Sequence, residues 1–115
     1  MSIEFTIDVI EQKKDLLFVA GISLGELELN ATFTHLYQYG NSKKSKKLLS
    51  AVVVTVVSII VDGEPVDKLA QNSTGMIALS GDFSVITDQA QNLKWRKKSG
   101  RFIRTSNIAL TLADT

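Results

Sequence analysis

Leu48-Leu-Ser-Ala-Val-Val-Val-Thr-Val-Val-Ser-Ile-Ile-Val61 is the stretch of sequence that decides the fold. From Val52 to Val61, nine of ten residues are β-branched, and such side chains favour the pleated surface of a sheet. The run is apolar at odd and even positions alike, a pattern that predicts burial on both faces. We therefore predict the central strand of a sheet that closes on itself or is covered.

A transmembrane helix is the alternative interpretation of the same run. Only 14 residues separate Lys47 from Asp62, whereas a membrane span needs about 20 apolar residues. Extended at about 3.3 Å per residue, the run would measure about 46 Å, longer than most strands. We therefore expect no membrane segment, and we predict a bend or bulge near Ser50 or Ser58.

Composition limits the class of protein. A chain of 115 residues, 44% hydrophobic and 22% charged, suits one folded domain spanning residues 1–115. It has no cysteine, which excludes disulfides and thiolate metal sites and favours a reducing compartment. Residues 1–10 alternate polar and apolar and lack the features of a signal peptide. We expect a cytoplasmic protein without a cofactor.

Short strands and turns precede and follow the central run. Alternation predicts a strand over residues 3–9, a second apolar strand over residues 16–21, and a third over residues 27–33. After the central run, Asp62-Gly63 predicts a hairpin turn, and strands are predicted at 76–79, 83–85 and 108–112. The predicted fold is all-β, a small antiparallel β-barrel, closed or partly closed.

Residues 88–100 allow two structures. Ser99-Gly100 suits a two-residue hairpin that would pair Trp95 with Arg104 and Lys97 with Phe102. In the alternative, Asp88 caps a short helix, Gln91 completes a capping box and Gly100 ends the helix. We favour the hairpin.

The order of these elements resembles a known family. The segments Leu17-Phe-Val-Ala-Gly-Ile-Ser-Leu-Gly-Glu-Leu-Glu-Leu-Asn30, Val57-Ser-Ile-Ile-Val-Asp-Gly-Glu-Pro-Val-Asp-Lys-Leu-Ala70 and Gly75-Met-Ile-Ala-Leu-Ser-Gly81 resemble the second domain of the elongation factor Tu family of translation factors. The resemblance covers residues 3–86 and implies a β-barrel, with RNA contacts as one implied possibility. Asn30 stands where the family usually has glycine, and the lysine-rich stretch at residues 43–47 departs from the family. No phosphate-binding G-x-x-x-x-G-K-[ST] loop occurs, so nucleotide hydrolysis is not implied.

Few residues suit catalysis. His35 is the only histidine, so a two-histidine metal site is excluded. Glu26 and Glu28 share a predicted strand face and could act as acid and base with His35, but solvated acids on an exposed face are far commoner. We predict no enzyme activity, no catalytic residue and no metal site.

The clearest functional feature is a basic segment near the end of the chain. Interleaved bases and an aromatic ring can neutralise phosphates and stack on a base. The predicted binding residues are Lys94, Trp95, Arg96, Lys97, Lys98, Arg101 and Arg104, and a secondary basic loop comprises Lys43, Lys44, Lys46 and Lys47. In the alternative interpretation Trp95 packs against Arg104 as a cation–π pair and the lysines are only solvated.

Charge is segregated along the chain. Residues 1–38, 39–60, 61–91 and 92–115 carry net charges of −4, +4, −4 and +5. Such blocks could pair within the fold or could steer a charged partner. The leading hypothesis is a binding module for RNA or an acidic protein surface. The alternatives are an immunity-type protein that neutralises a toxin and a structural subunit of a larger assembly, and a homo-oligomer is possible.

Overall fold

The computed structural model describes residues 3–40, 46–105 and 107–115. Within these ranges the chain forms eleven strands and one helix. In chain order they are β1 (Glu4–Lys13), β2 (Leu16–Ser23), β3 (Leu27–Glu28), β4 (Thr32–Tyr39), β5 (Lys46–Val61), β6 (Glu64–Val66), β7 (Lys68–Leu69), β8 (Thr74–Asp82), α1 (Ser84–Asn92), β9 (Arg96–Lys98), β10 (Arg101–Ile103) and β11 (Ala109–Ala113).

Six of the strands form a closed ring. The order is β11, β4, β5, β8, β2 and β1, and pairing of β1 with β11 closes it. Every strand pair in the described residues is antiparallel. The predicted all-β fold with a closed antiparallel sheet is confirmed. Two hairpins extend this ring, because β10 and β9 continue from the far part of β1 and β6 pairs with the end of β5.

Strand β5 is central, as predicted. It has 16 residues and pairs with β4 along one edge and β8 along the other. Register shifts leave Leu49 without a partner on β4 and Val57 without a partner on β8. Because these positions adjoin Ser50 and Ser58, the predicted irregularities are confirmed, and they let a long strand follow the curvature of the ring.

The prediction that β5 is buried on both faces is wrong. Val52, Val54, Val56 and Ile59 lie in the core. On the other face Val53 is 66% exposed and Val57 is 44% exposed, because none of the described elements covers the outside of the ring here. The valine run therefore reflects the fit of β-branched side chains to a strand rather than two-sided burial.

The predicted third strand is interrupted. Asn30 has a φ of 72°, which asparagine tolerates better than other non-glycine residues. Before it, Leu27–Glu28 pairs with Lys68–Leu69 in a separate two-stranded sheet, and after it the chain enters β4 in the ring. An alternating pattern of polar and apolar residues therefore continues across a break between two sheets.

The last quarter contains both a helix and a hairpin. Lys97 pairs with Phe102 as predicted, through a turn in which Ser99 and Gly100 have φ values of 55° and 79°. The helix α1 precedes this hairpin and replaces the strand predicted at residues 83–85. The predicted Asp88 cap is wrong, because α1 begins at Ser84, whose hydroxyl donates to Asp82 Oδ1 at 2.9 Å.

One hydrophobic core fills the ring. It includes Phe5, Phe33 and Leu79 from three strands, and α1 contributes Ile86 and Ala90 to the same cluster. Gly21 marks a close approach between β1 and β2, since a Cβ at this position would overlap the carbonyl oxygen of Thr6. Through Ile86 and Ala90 the helix anchors the α1–β9–β10 unit to the core, while the hairpin of this unit remains at the surface.

Candidate binding groove

The predicted basic patch does not form one surface. Neighbouring residues of a strand point to opposite faces, so Arg96 and Lys98 lie on one face of β9 and Lys97 on the other. The pairs Arg96–Ile103 and Lys98–Arg101 share the outer face of the sheet. Lys97 pairs with Phe102, which itself pairs with the core residue Ile10.

Two of the predicted binding residues are neutralised by acids of β1. Arg104 Nη2 lies 2.9 Å from Asp8 Oδ1, and Arg101 Nε lies 3.4 Å from Glu11 Oε2. The backbone N–H of Arg104 also donates to the carbonyl of Asp8 at 2.9 Å. These arginines fasten the hairpin region to β1, so they are less available to a partner than the sequence pattern suggested.

Four other bases are exposed. Lys94, Arg96, Lys97 and Lys98 have no carboxylate within 4.0 Å in the described ranges. Lys97 Nζ lies 5.4 Å from the centre of the Phe102 ring, a cation–π arrangement. Lysines on a short edge strand also discourage pairing with other chains, so exposure alone does not identify a binding site.

Trp95 is buried, with only 4% of its surface exposed. It joins the core directly after α1, and its backbone N–H donates to the Ala90 carbonyl at 3.1 Å. In this arrangement the ring cannot stack on a nucleic-acid base, which corrects the binding role expected for it. Among the described residues the cation–π contacts do not include the alternative pair of Trp95 with Arg104, whose guanidinium instead lies 2.9 Å from Asp8.

A groove lies between α1 and the β9–β10 hairpin. It encloses about 460 Å³ and opens to solvent. Its lining residues are Ile10, Gln12, Lys14, Thr87, Gln91, Lys97, Gly100 and Phe102. Two lysines, two glutamines and a threonine therefore surround a surface to which Ile10 and Phe102 contribute apolar atoms.

Of the eight groove residues the sequence analysis predicted only Lys97 as a binding residue, and the polar ones that it missed are Gln12, Lys14, Thr87 and Gln91. Lys14 occupies the β1–β2 turn with a φ of 54°, whereas Thr87 and Gln91 are separated by four residues on α1, a spacing that places both on one side of a helix. That helical spacing was the feature of the sequence from which the shared position of Thr87 and Gln91 could have been predicted. The long-range pairing of β1 with β10, which brings Lys14 and Lys97 to the same groove, has no local signal.

The secondary basic loop is described only in part, since Lys43 and Lys44 lie outside the described residues. Lys47 is exposed at the start of β5. Lys46 Nζ lies 3.5 Å from Glu4 Oε1 and 4.1 Å from the centre of the Tyr37 ring. Burial alone would lower the pKa of Lys46, but Glu4, Tyr39 and Tyr37 together raise it.

Tyr39 belongs to the same surface cluster. Its hydroxyl donates to Glu4 Oε1 at 2.8 Å. Burial, followed by the hydrogen bond and the charge of Glu4, raises the pKa of Tyr39 above its ordinary value. Lys46 is therefore held by an acid and two aromatic rings and does not extend a free basic surface.

The residues considered for catalysis have separate partners. Lys68 Nζ lies 3.7 Å from Glu26 and 3.4 Å from Glu28, and the hydrogen bond and charge of Glu28, followed by the charge of Glu26, raise the pKa of Lys68. His35 instead contacts Thr34 through Nδ1 at 2.7 Å and stacks on Tyr37. Within the described ranges, no group of three or more histidine and acidic side chains could hold a metal ion.

Comparison with protein-family models, curated proteins and solved structures gives no significant match. The resemblance to the second domain of elongation factor Tu stays a prediction. In the part of the chain that the structure describes, no helix has the length and apolar character needed to cross a membrane.

Proposed function

We propose that this chain is a non-catalytic binding module that holds an acidic segment of a protein partner in the groove between α1 and the β9–β10 hairpin. The observation that carries the proposal is that Lys14 and Lys97 line one groove, and neither has a carboxylate within 4.0 Å in the described ranges. Two unneutralised ammonium groups at one concave site favour an anionic ligand.

The other lining residues favour a peptide over a simple ion. Gln12 and Gln91 each carry an amide that can both donate and accept hydrogen bonds, as the backbone of an extended peptide requires. Ile10 and Phe102 supply apolar contact between the polar groups. The volume of about 460 Å³ lies within the range of about 300–1,000 Å³ of ligand sites. An acidic side chain with its flanking backbone suits this combination.

The same residues are less suited to RNA. Single-stranded nucleic acid is usually held by exposed aromatic rings on which bases stack. Trp95 is buried, and Lys97 lies over the half-buried ring of Phe102. Since the stacking surface expected from the sequence is withdrawn into the core, the remaining bases favour carboxylates of a protein.

Fluorescence anisotropy of the full chain with a labelled peptide of alternating glutamate and leucine tests the proposal. Lys14→Glu/Lys97→Glu should weaken binding by at least about tenfold, because both charges at the groove are reversed. Lys47→Glu/Lys98→Glu is the matched control, since it changes the net charge equally, and Lys98 lies on the opposite face of β9 from Lys97. Its affinity should stay within about twofold of the wild type.

Equal losses in the two double variants would contradict the groove, since they would show attraction by net charge alone. Tighter binding to a single-stranded RNA of equal charge would favour the RNA alternative. A protein that binds the wild-type chain and does not bind the Lys14→Glu/Lys97→Glu variant would then identify the class of partner. A toxin would support the immunity-type alternative, and a subunit of a larger assembly would support the structural one.

A further inference from the structure

A row of apolar residues crosses the outer face of the sheet. The strand registers align Ile103 with Val9, Val9 with Ala20, Ala20 with Met76, Met76 with Ile60, and Ile60 with Pro65. Directly opposed residues of antiparallel strands share a face. We call these six residues the outer stripe. At about 4.8 Å per strand it extends for about 24 Å along the sheet.

The outer stripe is accessible to a partner. Met76 is 38% exposed and Pro65 is exposed, while Val9, Ala20, Ile60 and Ile103 are each partly accessible. A contiguous row of aliphatic side chains across several strands differs from the scattered apolar residues of an ordinary surface. It also faces away from the groove, because Arg96 pairs with Ile103 on this face while Lys97 lies on the other.

A hollow lies at the centre of the outer stripe. It encloses about 150 Å³ and is lined by Val9, Glu11, Phe18, Ala20, Met76 and Arg101. This volume is below the range of about 300–1,000 Å³ of small-molecule sites and is closer to the size of one side chain. Ala20 has the shortest side chain of the lining, and it pairs directly with the protruding Met76. The exposed side chain of Met76 therefore lies next to the hollow over Ala20.

The two ends of the outer stripe carry opposite charge. Beyond Ile103 lies Arg96, which is exposed and has no acid within 4.0 Å among the described residues. At the other end Asp62 and Asp67 are exposed on either side of β6, and the described ion pairs do not include them. Glu64 is exposed too, but it neighbours Pro65 along β6 and therefore points to the opposite face. A stripe that is basic at one end and acidic at the other complements a second copy of itself turned by 180°.

We propose that the outer stripe is the interface of a two-fold symmetric homodimer. Met76 of each copy occupies the hollow over Ala20 of the other, and Arg96 of each copy faces the acidic end of the other. A two-fold axis requires a self-complementary surface, and the exposed Met76 beside the hollow together with the opposed charges supplies one. The interface leaves the groove free, so each copy keeps its proposed binding site.

Sedimentation equilibrium of the full chain over a range of concentrations tests this proposal. Met76→Glu should raise the dissociation constant of the dimer by at least about tenfold, because it replaces the apolar side chain at the centre of the outer stripe with a carboxylate that must lose its hydration in the interface. Ala20→Gln, which fills the hollow and keeps Met76, should act in the same direction. Val53→Glu is the control, because Val53 is 66% exposed on the same strand as Ile60 but lies outside the outer stripe. It should leave the constant within about twofold.

Crosslinking separates this interface from other modes of association. The chain has no cysteine, so Met76→Cys and Val53→Cys each introduce a single thiol. A short bismaleimide should link copies through residue 76 and leave residue 53 unlinked. A wild type that is monomeric at every concentration, a Met76→Glu variant that dimerises normally, or equal crosslinking at both positions would overturn the proposal. None of these outcomes bears on acidic peptide binding at the groove.

Discussion

The role assigned to Trp95 depends on whether its ring is exposed or buried. Its ring lies in the core, and in the described residues its indole Nε1 has no hydrogen-bond partner. An unsatisfied buried donor costs about 1–3 kcal/mol, so the ring stabilises the fold through its apolar body and not through its N–H. Trp95 stands among basic residues in the sequence, but its ring joins the core directly after α1, where its backbone N–H donates to the Ala90 carbonyl.

We predict that Trp95→Phe changes the free energy of unfolding by less than about 1.5 kcal/mol, because it keeps most of the apolar body and removes the unsatisfied donor. Trp95→Ala should lose about 3–5 kcal/mol through the cavity it leaves. Urea denaturation followed by circular dichroism measures both. Equal losses in the two variants would show that the indole N–H makes a stabilising bond after all.

At the scale of single elements, β4, β5 and β1 are joined on their outer face by Tyr39, Lys46 and Glu4. The pKa values of Tyr39 and Lys46 are both raised, so the folded state holds these protons more tightly than the unfolded chain. Their contribution to stability is complete below the ordinary pKa of tyrosine, 10.0, and is lost as the pH rises above it.

We predict that the urea midpoint of the wild type falls as the pH is raised above about 10, and that Tyr39→Phe makes this fall shallower. Tyr37→Phe is the control, because the Tyr37 hydroxyl donates to the Thr115 carbonyl at 3.1 Å rather than to Glu4. It should reduce the steepness less than Tyr39→Phe does, because Tyr37 contributes only to the raised pKa of Lys46. Identical slopes for wild type and Tyr39→Phe would show that ionisation of Tyr39 does not limit alkaline stability.

Elements were predictable where their signals are local. The β-branched run of β5, the irregularities beside its serines and the Ser99-Gly100 turn follow from residue types and short-range geometry. The helix α1 was displaced in the prediction because it begins at Ser84, four residues before the predicted cap at Asp88, without a side-chain capping hydrogen bond that the sequence could have signalled. The exposed face of β5 could not be predicted, since a β-branched run looks the same whether or not a second layer covers it.

The groove could be predicted only in part. Lys97 belongs to a visible basic segment, but Lys14 joins it through the pairing of β1 with β10, which connects residues far apart in the chain. The division of the basic segment into two faces follows from strand alternation once the hairpin is assigned. The burial of Trp95 depends on how the whole unit packs against the core.

At the scale of the whole molecule, the charge blocks pair partly within the fold. The acidic first block binds the two basic blocks through Glu4–Lys46, Asp8–Arg104 and Glu11–Arg101. Each is a surface ion pair and contributes little to stability, about 0–1 kcal/mol. These pairs neutralise Arg101, Arg104 and Lys46. Among the described residues, Lys14 and Lys97 at the groove, Arg96 and Lys98 on β9, and Lys47 and Lys94 have no such partner.

Closure of the ring depends on β11, which pairs with β1 on one side and β4 on the other. Leu112 is fully buried between Phe5 and Leu36. We predict that Leu112→Ala lowers the free energy of unfolding by about 2–5 kcal/mol, as measured by urea denaturation. Leu48→Ala is the control, because Leu48 is 52% exposed, and it should change stability by less than about 0.5 kcal/mol. Similar losses would contradict the role of β11 in closing the core.

The groove is the central functional claim, and amide chemical shifts of the isotope-labelled chain test it most directly. On titration with the glutamate–leucine peptide, we predict shifts concentrated at residues 10–14, 87–91 and 97–102, which contain the groove lining, and absent in Lys14→Glu/Lys97→Glu. Shifts centred on the Tyr39–Lys46 cluster or on β6, with the groove amides unchanged, would contradict the account.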